Sequence, residues 1–304
     1  MTNSIALSAP CLPRSRRTSP VWCSAHLQVV SVTLSSLRHV EQGTTIAVIG
    51  GGNMGSAFVG GLLRGGVAPS DLVVVETNAA RRGELAAQFP GVHIAAEVPH
   101  VDAVIVAVKP ADVHVACTAA KAAGATRLLS IAAGVTITSL EAWSGAGMRV
   151  VRAMPNTPAV IGLAATAMAT SSRADASVRM WARQMLESVG MVIEVDEAML
   201  DAFTGLVGSG PAYLFYVAEA LNEAARAAGF DAETSAQLIA QLFAGSSALL
   251  TREPHAAHEM RARVTSPNGT TAAGIAVLER ERVRDAIVAA VLAARNRSAE
   301  LGAS

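Results

Sequence analysis

One stretch constrains the fold of this chain more than any other: the apolar run 46–49, IAVI, followed by GGGNMGSA. The run leads into Gly50, Gly52 and Gly55 in the spacing G-x-G-x-x-G, and apolar residues then recur at helical spacing. A short apolar run without alternation fits a strand buried on both faces, as in a parallel sheet covered by helices. In that setting each glycine has a separate reason. Gly50 permits the tight turn, Gly52 lets backbone approach a pyrophosphate, and Gly55 lets the helix sit close to the strand. The helix start, with Asn53 and Met54 in its first turn, offers unpaired N–H groups and a partial positive charge to phosphates. The glycine spacing alone is common. Strand before and helix after make it a dinucleotide loop rather than a plain strand–helix turn.

The alternation continues. LVVVE (72–76) predicts a second strand and 79–89 a second helix; AVIVAVK (103–109) predicts a third strand and 111–123 a helix. RLLSIAAG and MRVVRAMP are further strands. Strands alternating with helices predict an α/β fold, a Rossmann-type dinucleotide-binding domain over 44–196. After about residue 196 only helical spacing remains, in 211–229, 232–250 and 283–301. Roughly a hundred residues of alanine-rich helix make a thin core alone. Residues 197–304 are therefore expected to be an all-helical dimerisation domain, packed against a second copy in a homo-dimer or higher homo-oligomer; the resemblance described below implies that it also binds the substrate.

Composition removes other classes. Half of the 304 residues are hydrophobic, with no apolar run long enough to span a membrane. Formal net charge is zero, which favours neither nucleic acid nor a membrane surface as a partner. The three cysteines share no metal-ligand spacing, and Cys117 fits a small core residue. His255 and His258 lack a third metal ligand and are expected at the surface. Residues 1–43 are rich in Arg and Ser; they are read as a disordered or mis-annotated extension rather than a targeting segment, in a cytoplasmic protein.

Candidate cofactor residues follow from the crevice at the carboxyl ends of parallel strands. Glu76 ends the second strand, where an acid bonds ribose hydroxyls and an arginine would favour a 2′-phosphate. Arg81 and Arg82 are expected on the solvated face of the next helix. The signals conflict, and the cofactor is NADPH or NADH. Ala107, Val108, Lys109 and Pro110 close the third strand at the same edge, and Lys109 is one of only two lysines in the chain. Ala132, Ala133 and Gly134 are small enough for a nicotinamide to lie against backbone. Asn156, between two prolines in a rigid turn, can bond a carboxamide or simply hold the turn.

The pieces IAVIGGGNMGSA, AVIVAVKP, SIAAGVTI, VVRAMPNTPAVIG, DAFTGLVGSGPAYLFYVAEAL and VTSPNGTTAAGIAVLE stand in this order between residues 44 and 301. Together they resemble the pyrroline-5-carboxylate reductases, the last enzymes of proline biosynthesis. The resemblance implies a Rossmann domain followed by a helical dimerisation domain, with 1-pyrroline-5-carboxylate as substrate and no metal. It implies that Val264, Ser266, Asn268, Gly269, Thr270 and Thr271 hold the substrate. A helix start suits a carboxylate, and a cyclic imine is basic enough to arrive protonated, so a hydroxyl suffices; the resemblance makes Thr271 the catalytic residue. There are departures: Asn268 stands where the family often has Gly, Asn78 near where it often has Arg, and Ala256-Ala257 where it has His-Pro. A related imine or β-hydroxyacid reductase would carry a Lys or Asp on the long helix, where only Ser209 precedes it. A non-catalytic dinucleotide sensor remains the rival of another class.

Overall fold

The computed structural model describes residues 43–303, so the expectation for the N-terminal extension lies outside the described residues except at Gly43. Eight strands form one sheet: β1 (Ile46–Ile49), β2 (Leu72–Val75), β3 (His93–Ala95), β4 (Ala103–Val106), β5 (Arg127–Ser130), β6 (Arg149–Met154), β7 (Ala164–Thr170) and β8 (Gly190–Glu194). Their order is β3-β2-β1-β4-β5-β6-β7-β8. The first six run parallel; β7 is antiparallel to β6, and β8 is parallel to β7.

The central strands β1, β2 and β4 are apolar throughout because both their faces are covered. Ile46, Val48, Leu72 and Val74 face one core, which α1 (Asn53–Arg64), α2 (Ala79–Gln88) and α5 (Ala176–Glu187) complete with Phe58, Leu62, Leu85 and Trp181. Ala47, Ile49, Val73 and Val75 face the other, against Val113 and Cys117 of α3 (Val113–Ala122) and Leu140 of α4 (Ile137–Ser144). Alternate residues of one strand thus serve opposite cores. Burial of Cys117 pushes its thiol up to about 11, so it behaves as a small hydrophobe.

Three strands escaped the sequence pattern. β3 is three residues at the sheet edge and only partly covered, so it lacks an apolar run. β7, AATAMAT, is built from alanines, and β8 leaves every residue after Gly190 partly or fully exposed. β7 has only Thr166 and Thr170 as β-branched residues, and β8 only the pair Val192-Ile193, too little for strand recognition by pattern. The expectation of a parallel sheet therefore holds for β1–β6 and fails at β7, which returns beside β6 in the opposite direction.

Beyond the sheet come α6 (Leu200–Phe203), a π-helical turn over Thr204–Gly208, α7 (Gly210–Ala227), α8 (Ala232–Arg252), α9 (Ala257–Arg263), α10 (Thr270–Arg280) and α11 (Val283–Ala303). The π turn packs on α11 through Gly205, where a Cβ would lie 2.6 Å from the Arg295 amide nitrogen. At the junction, Glu197 Oε1 accepts from the Ile137 amide at 2.7 Å and from Arg152 Nη1 at 2.9 Å. Arg152 is the one charged side chain buried in the sheet among the described residues, and this pairing is what lets it be there. Past Leu200 no hydrophobic residue among those described is buried; Leu214, Phe215, Tyr216, Leu242 and Ile287 lie in the open. No helix among the described residues is long and apolar enough to cross a membrane.

Candidate active site

The strand order reverses between β1 and β4, so their carboxyl ends open a crevice on which the loops after β1, β2 and β4 converge. The Gly50 amide donates to Val75 O at 2.8 Å and the Ala107 amide to Ile49 O at 2.8 Å. Gly50 has φ +105°, and a Cβ there would lie 2.7 Å from Ala107 O. Glycine is required twice over, by conformation and by the closeness of β4. At Gly55 a Cβ would collide with Gly50 O, so α1 can press against β1 only with glycine at that place. Gly52 is exposed with nothing near its α-carbon, as are Asn53 and, in part, Met54.

The helix starts of this chain fall into two kinds. Four are closed by their own side chains: Asn78 accepts from Arg81 N on α2, Thr136 from Ser139 N on α4, Asp175 from Val178 N on α5, and Asp231 from Thr234 N on α8. The Ser177 hydroxyl and then the Val178 amide hold Asp175, and the Thr234 amide and then its hydroxyl hold Asp231, below the usual carboxylate range. The starts of α1, α3, α6, α7, α9 and α10 have no side-chain cap, and of these only α1 and α10 have glycine at the cap position, Gly52 and Gly269. An uncapped start leaves amides free for an anion. The two glycine starts are the two loops that the sequence singled out.

Around the first, Glu76 accepts from the Gly51 amide at 3.1 Å and from the Asn78 amide at 2.8 Å. Arg81, expected on a solvated face, turns back: Nε donates to Gly51 O at 2.9 Å and Nη2 to Ser56 Oγ at 2.9 Å. Arg82 Nη1 donates to Glu76 O and Thr77 O. The expectation for both arginines is corrected: they brace the loop and the end of β2. No periodicity distinguishes a bracing arginine from a solvated one at the start of a helix, so Arg81 and Ser56 were missed. Lys109 and Pro110 are exposed at the end of β4, with Ala107 and Val108 partly covered behind them. A cavity of about 700 Å³ opens beside them, walled by Ile49, Val75, Val108 and α3.

Ala132, Ala133 and Gly134 follow β5, and Gly134 has φ +74°. A Cβ on Gly134 would sit 3.5 Å from Leu301, so the end of α11 lies on this loop. Asn156 is already engaged: its Nδ2 donates to Val207 O at 3.2 Å and its Oδ1 accepts from the Ala165 amide at 3.0 Å. It ties the end of β6 to β7 and to the π turn, a positional role at the crevice.

Around the second start, Val264, Ser266, Asn268, Thr270 and Thr271 are exposed and Gly269 is partly covered. The Gly269 amide donates to Ser266 O at 3.1 Å, closing a turn through Asn268 at φ +59°. Asparagine carries the left-handed conformation that glycine usually supplies. At Gly269 a Cβ would meet Ser266 Oγ, which can rotate away, and would lie 3.2 Å from Ser266 O, so the position is tight without a dihedral need for glycine. The Thr270 and Thr271 hydroxyls make no cap on α10. No group of His, Cys, Asp and Glu among the described residues could hold a metal, and His255 and His258 are exposed.

A family model described as "NADP oxidoreductase coenzyme F420-dependent" matches residues 45–134, and one described as "Pyrroline-5-carboxylate reductase dimerisation" matches residues 197–301. A pyrroline-5-carboxylate reductase of Mycobacterium leprae is 39% identical over 282 residues, covering 84% of this chain and 96% of that protein. The chain belongs to the pyrroline-5-carboxylate reductase family. A solved pyrroline-5-carboxylate reductase of Coxiella burnetii superposes with a TM-score of 0.78 at 34% identity, covering 85% of this chain and 98% of that one. The Plasmodium falciparum pyrroline carboxylate reductase, solved with NADP bound, shares the fold with a TM-score of 0.76 at 24% identity, covering 86% and 98%. Membership in the pyrroline-5-carboxylate reductase family explains the open apolar faces after Leu200: they belong to a dimerisation module.

Proposed function

We infer that the chain reduces 1-pyrroline-5-carboxylate to L-proline with NADPH or NADH, the last step of proline biosynthesis. The observation that carries the reading is the pair of uncapped, glycine-opened helix starts in a member of this family. The residues of the first start fit a dinucleotide. At Gly50 and Gly55 a Cβ would strike Ala107 O and Gly50 O, so glycine alone keeps the loop tight between β1, β4 and α1, and α1 starts without a side-chain cap. Gly50, Gly52, Asn53, Met54 and Gly55 would hold the pyrophosphate, Glu76 the adenosine ribose, and Ala107, Val108, Lys109 and Pro110 the crevice edge. Ala132, Ala133, Gly134 and Asn156 would border the nicotinamide. A bound reduced nicotinamide supplies the hydride.

The second start takes the substrate. Amides at the beginning of α10 receive the carboxylate, with Val264, Ser266, Asn268, Gly269 and Thr270 shaping the turn around it. Thr271 Oγ1 bonds the ring nitrogen, which arrives protonated as the iminium and leaves as the amine. The protein orients and excludes water; no strong acid is required. In this reading residues 44–196 hold the dinucleotide, and 197–304 hold the substrate and pair two or more copies. A cytoplasmic location without nucleic acid or membrane partners belongs to the same proposal. The test is the loss of reduced-nicotinamide absorbance on adding 1-pyrroline-5-carboxylate to the purified protein, with proline as product. A dinucleotide sensor would bind the reductant and consume none.

A further inference from the structure

The end of β2 lies where the two nicotinamide dinucleotides would differ, a ribose diol in one and a 2′-phosphate in the other. Glu76 Oε2 accepts from the Gly51 amide at 3.1 Å and Oε1 from the Asn78 amide at 2.8 Å, which aims the carboxylate at the dinucleotide loop. Each oxygen keeps a further lone pair. Spare acceptors suit a ribose diol, which brings two donors. A 2′-phosphate brings only acceptors and about −1.5 to −2 charges.

The two arginines near it are turned elsewhere. Arg81 spends Nε on Gly51 O, Nη2 on Ser56 Oγ and Nη1 on Glu84 at 2.7 Å, so its charge is matched as well as its donors. Arg82 directs Nη1 onto Glu76 O and Thr77 O at 3.0 and 2.8 Å. The adjoining cavity continues from Thr77 along α3. Its ionisable lining groups among the described residues are Glu97, Asp112 and His100, with neither Lys nor Arg. A second phosphate at this end of the crevice would meet the carboxylates of Glu76, Glu97 and Asp112, an Arg81 whose charge is already matched, and an Arg82 whose Nη1 is held by two main-chain carbonyls.

We propose that this chain selects NADH over NADPH and that Glu76 is the residue that decides. The proposal rests on the dinucleotide reading above and adds the identity of the reductant. Selection comes from a lone-pair mismatch and like-charge repulsion at one position, while Arg81 acts as a positioning residue through the Gly51 carbonyl, equally for both dinucleotides.

Equilibrium binding of NADH and NADPH without imine substrate, followed by nicotinamide fluorescence, tests this directly. The wild-type Kd for NADH is expected to be at least about tenfold lower. Glu76→Gln keeps one acceptor and removes the charge. It should bring the two Kd values within about threefold of each other, mainly by tightening NADPH. Competition by adenosine 2′,5′-bisphosphate against adenosine 5′-diphosphate should show the same preference with no nicotinamide present. Arg82→Ala, which does not touch Glu76's carboxylate bonds, should leave the wild-type ratio in place. NADPH binding as tightly as NADH to the wild type overturns the proposal. So does an unchanged ratio in a folded Glu76→Gln, or a selective loss of NADPH affinity in Arg82→Ala. Consumption of either dinucleotide with 1-pyrroline-5-carboxylate supports the reaction whatever the ratio. Tight NADH binding without consumption sinks the reaction and leaves the preference standing.

Discussion

The sheet half and the helical half of this chain use apolar residues in opposite ways. Up to Leu200 they close two cores, with Phe58, Leu62, Leu128 and Met185 wholly buried. After Leu200 helices of similar hydrophobicity leave Leu214, Phe215, Tyr216 and Val217 exposed in succession. Four neighbours in a row point around most of a helix, so α7 is apolar on several faces. A helix of that kind is stable in water only when covered. The first half is finished within one chain, and the second, which matches a dimerisation family model, leaves its apolar faces open for a partner. The same division separates the sites: the crevice is braced by Arg81, Glu76 and Asn156, whereas the turn carrying Thr271 lies open.

The largest effect expected is in the finished half. Phe58→Ala should cost about 3–5 kcal/mol in denaturant unfolding, the lost burial plus an unfilled cavity. That cost should not change with protein concentration, and a concentration-dependent cost would break the contrast. Phe215→Asp should behave the other way. Placing a charge on a pairing face should weaken association by about 2–4 kcal/mol, with little effect on helix content. Light scattering should then find smaller species at dilution, with activity lost alongside; a fully active monomer would show that the helical half needs no partner.

Thr271→Val keeps the shape of the second helix start and removes one hydroxyl. A hydrogen bond to a charged group is worth about 1.5–3 kcal/mol, so kcat should fall on the order of 10- to 100-fold, more than KM rises. Thr271→Ser should keep most activity, and dinucleotide affinity should not move. Wild-type kcat in Thr271→Val would leave substrate binding to backbone amides alone.

The smallest effect concerns the seam of the sheet. The Thr45 amide, and then its hydroxyl, hold the Asp102 carboxyl below its ordinary value of 3.8. The folded value is the lower one, so the stabilisation is complete above 3.8 and fades as pH falls through the folded value. Asp102 is exposed and solvent screens it, so Asp102→Asn should cost under about 1 kcal/mol at neutral pH. The cost should disappear in strong acid; a cost that grew on acidification would reverse the assignment.

Much of the site was legible because its backbone requirements leave marks in the residues. Gly50, with its positive φ and its approach to Ala107 O, can only be glycine. The turn at Asn268 and the crowded Gly269 leave the Asn-Gly pair in the same way. Arg81 left no such mark, because its task is set by carbonyls thirty residues away in sequence. Asn156 was legible as a turn residue, and its partners Val207 and Ala165 were not.

By itself the sequence determined the parallel framework of β1, β2, β4, β5 and β6 with its glycine loop, the helical second half and the open Ser-Pro-Asn-Gly-Thr-Thr turn. Each of these is dictated by local periodicity, by a dihedral angle or by the lack of space for a Cβ. Only the tertiary structure decided that β7 returns antiparallel, that Arg81 braces the loop, that Glu197 neutralises Arg152, and which apolar faces stay uncovered. Those depend on which distant groups meet, and contacts between distant residues are paid for by the whole fold rather than by any local stretch of it.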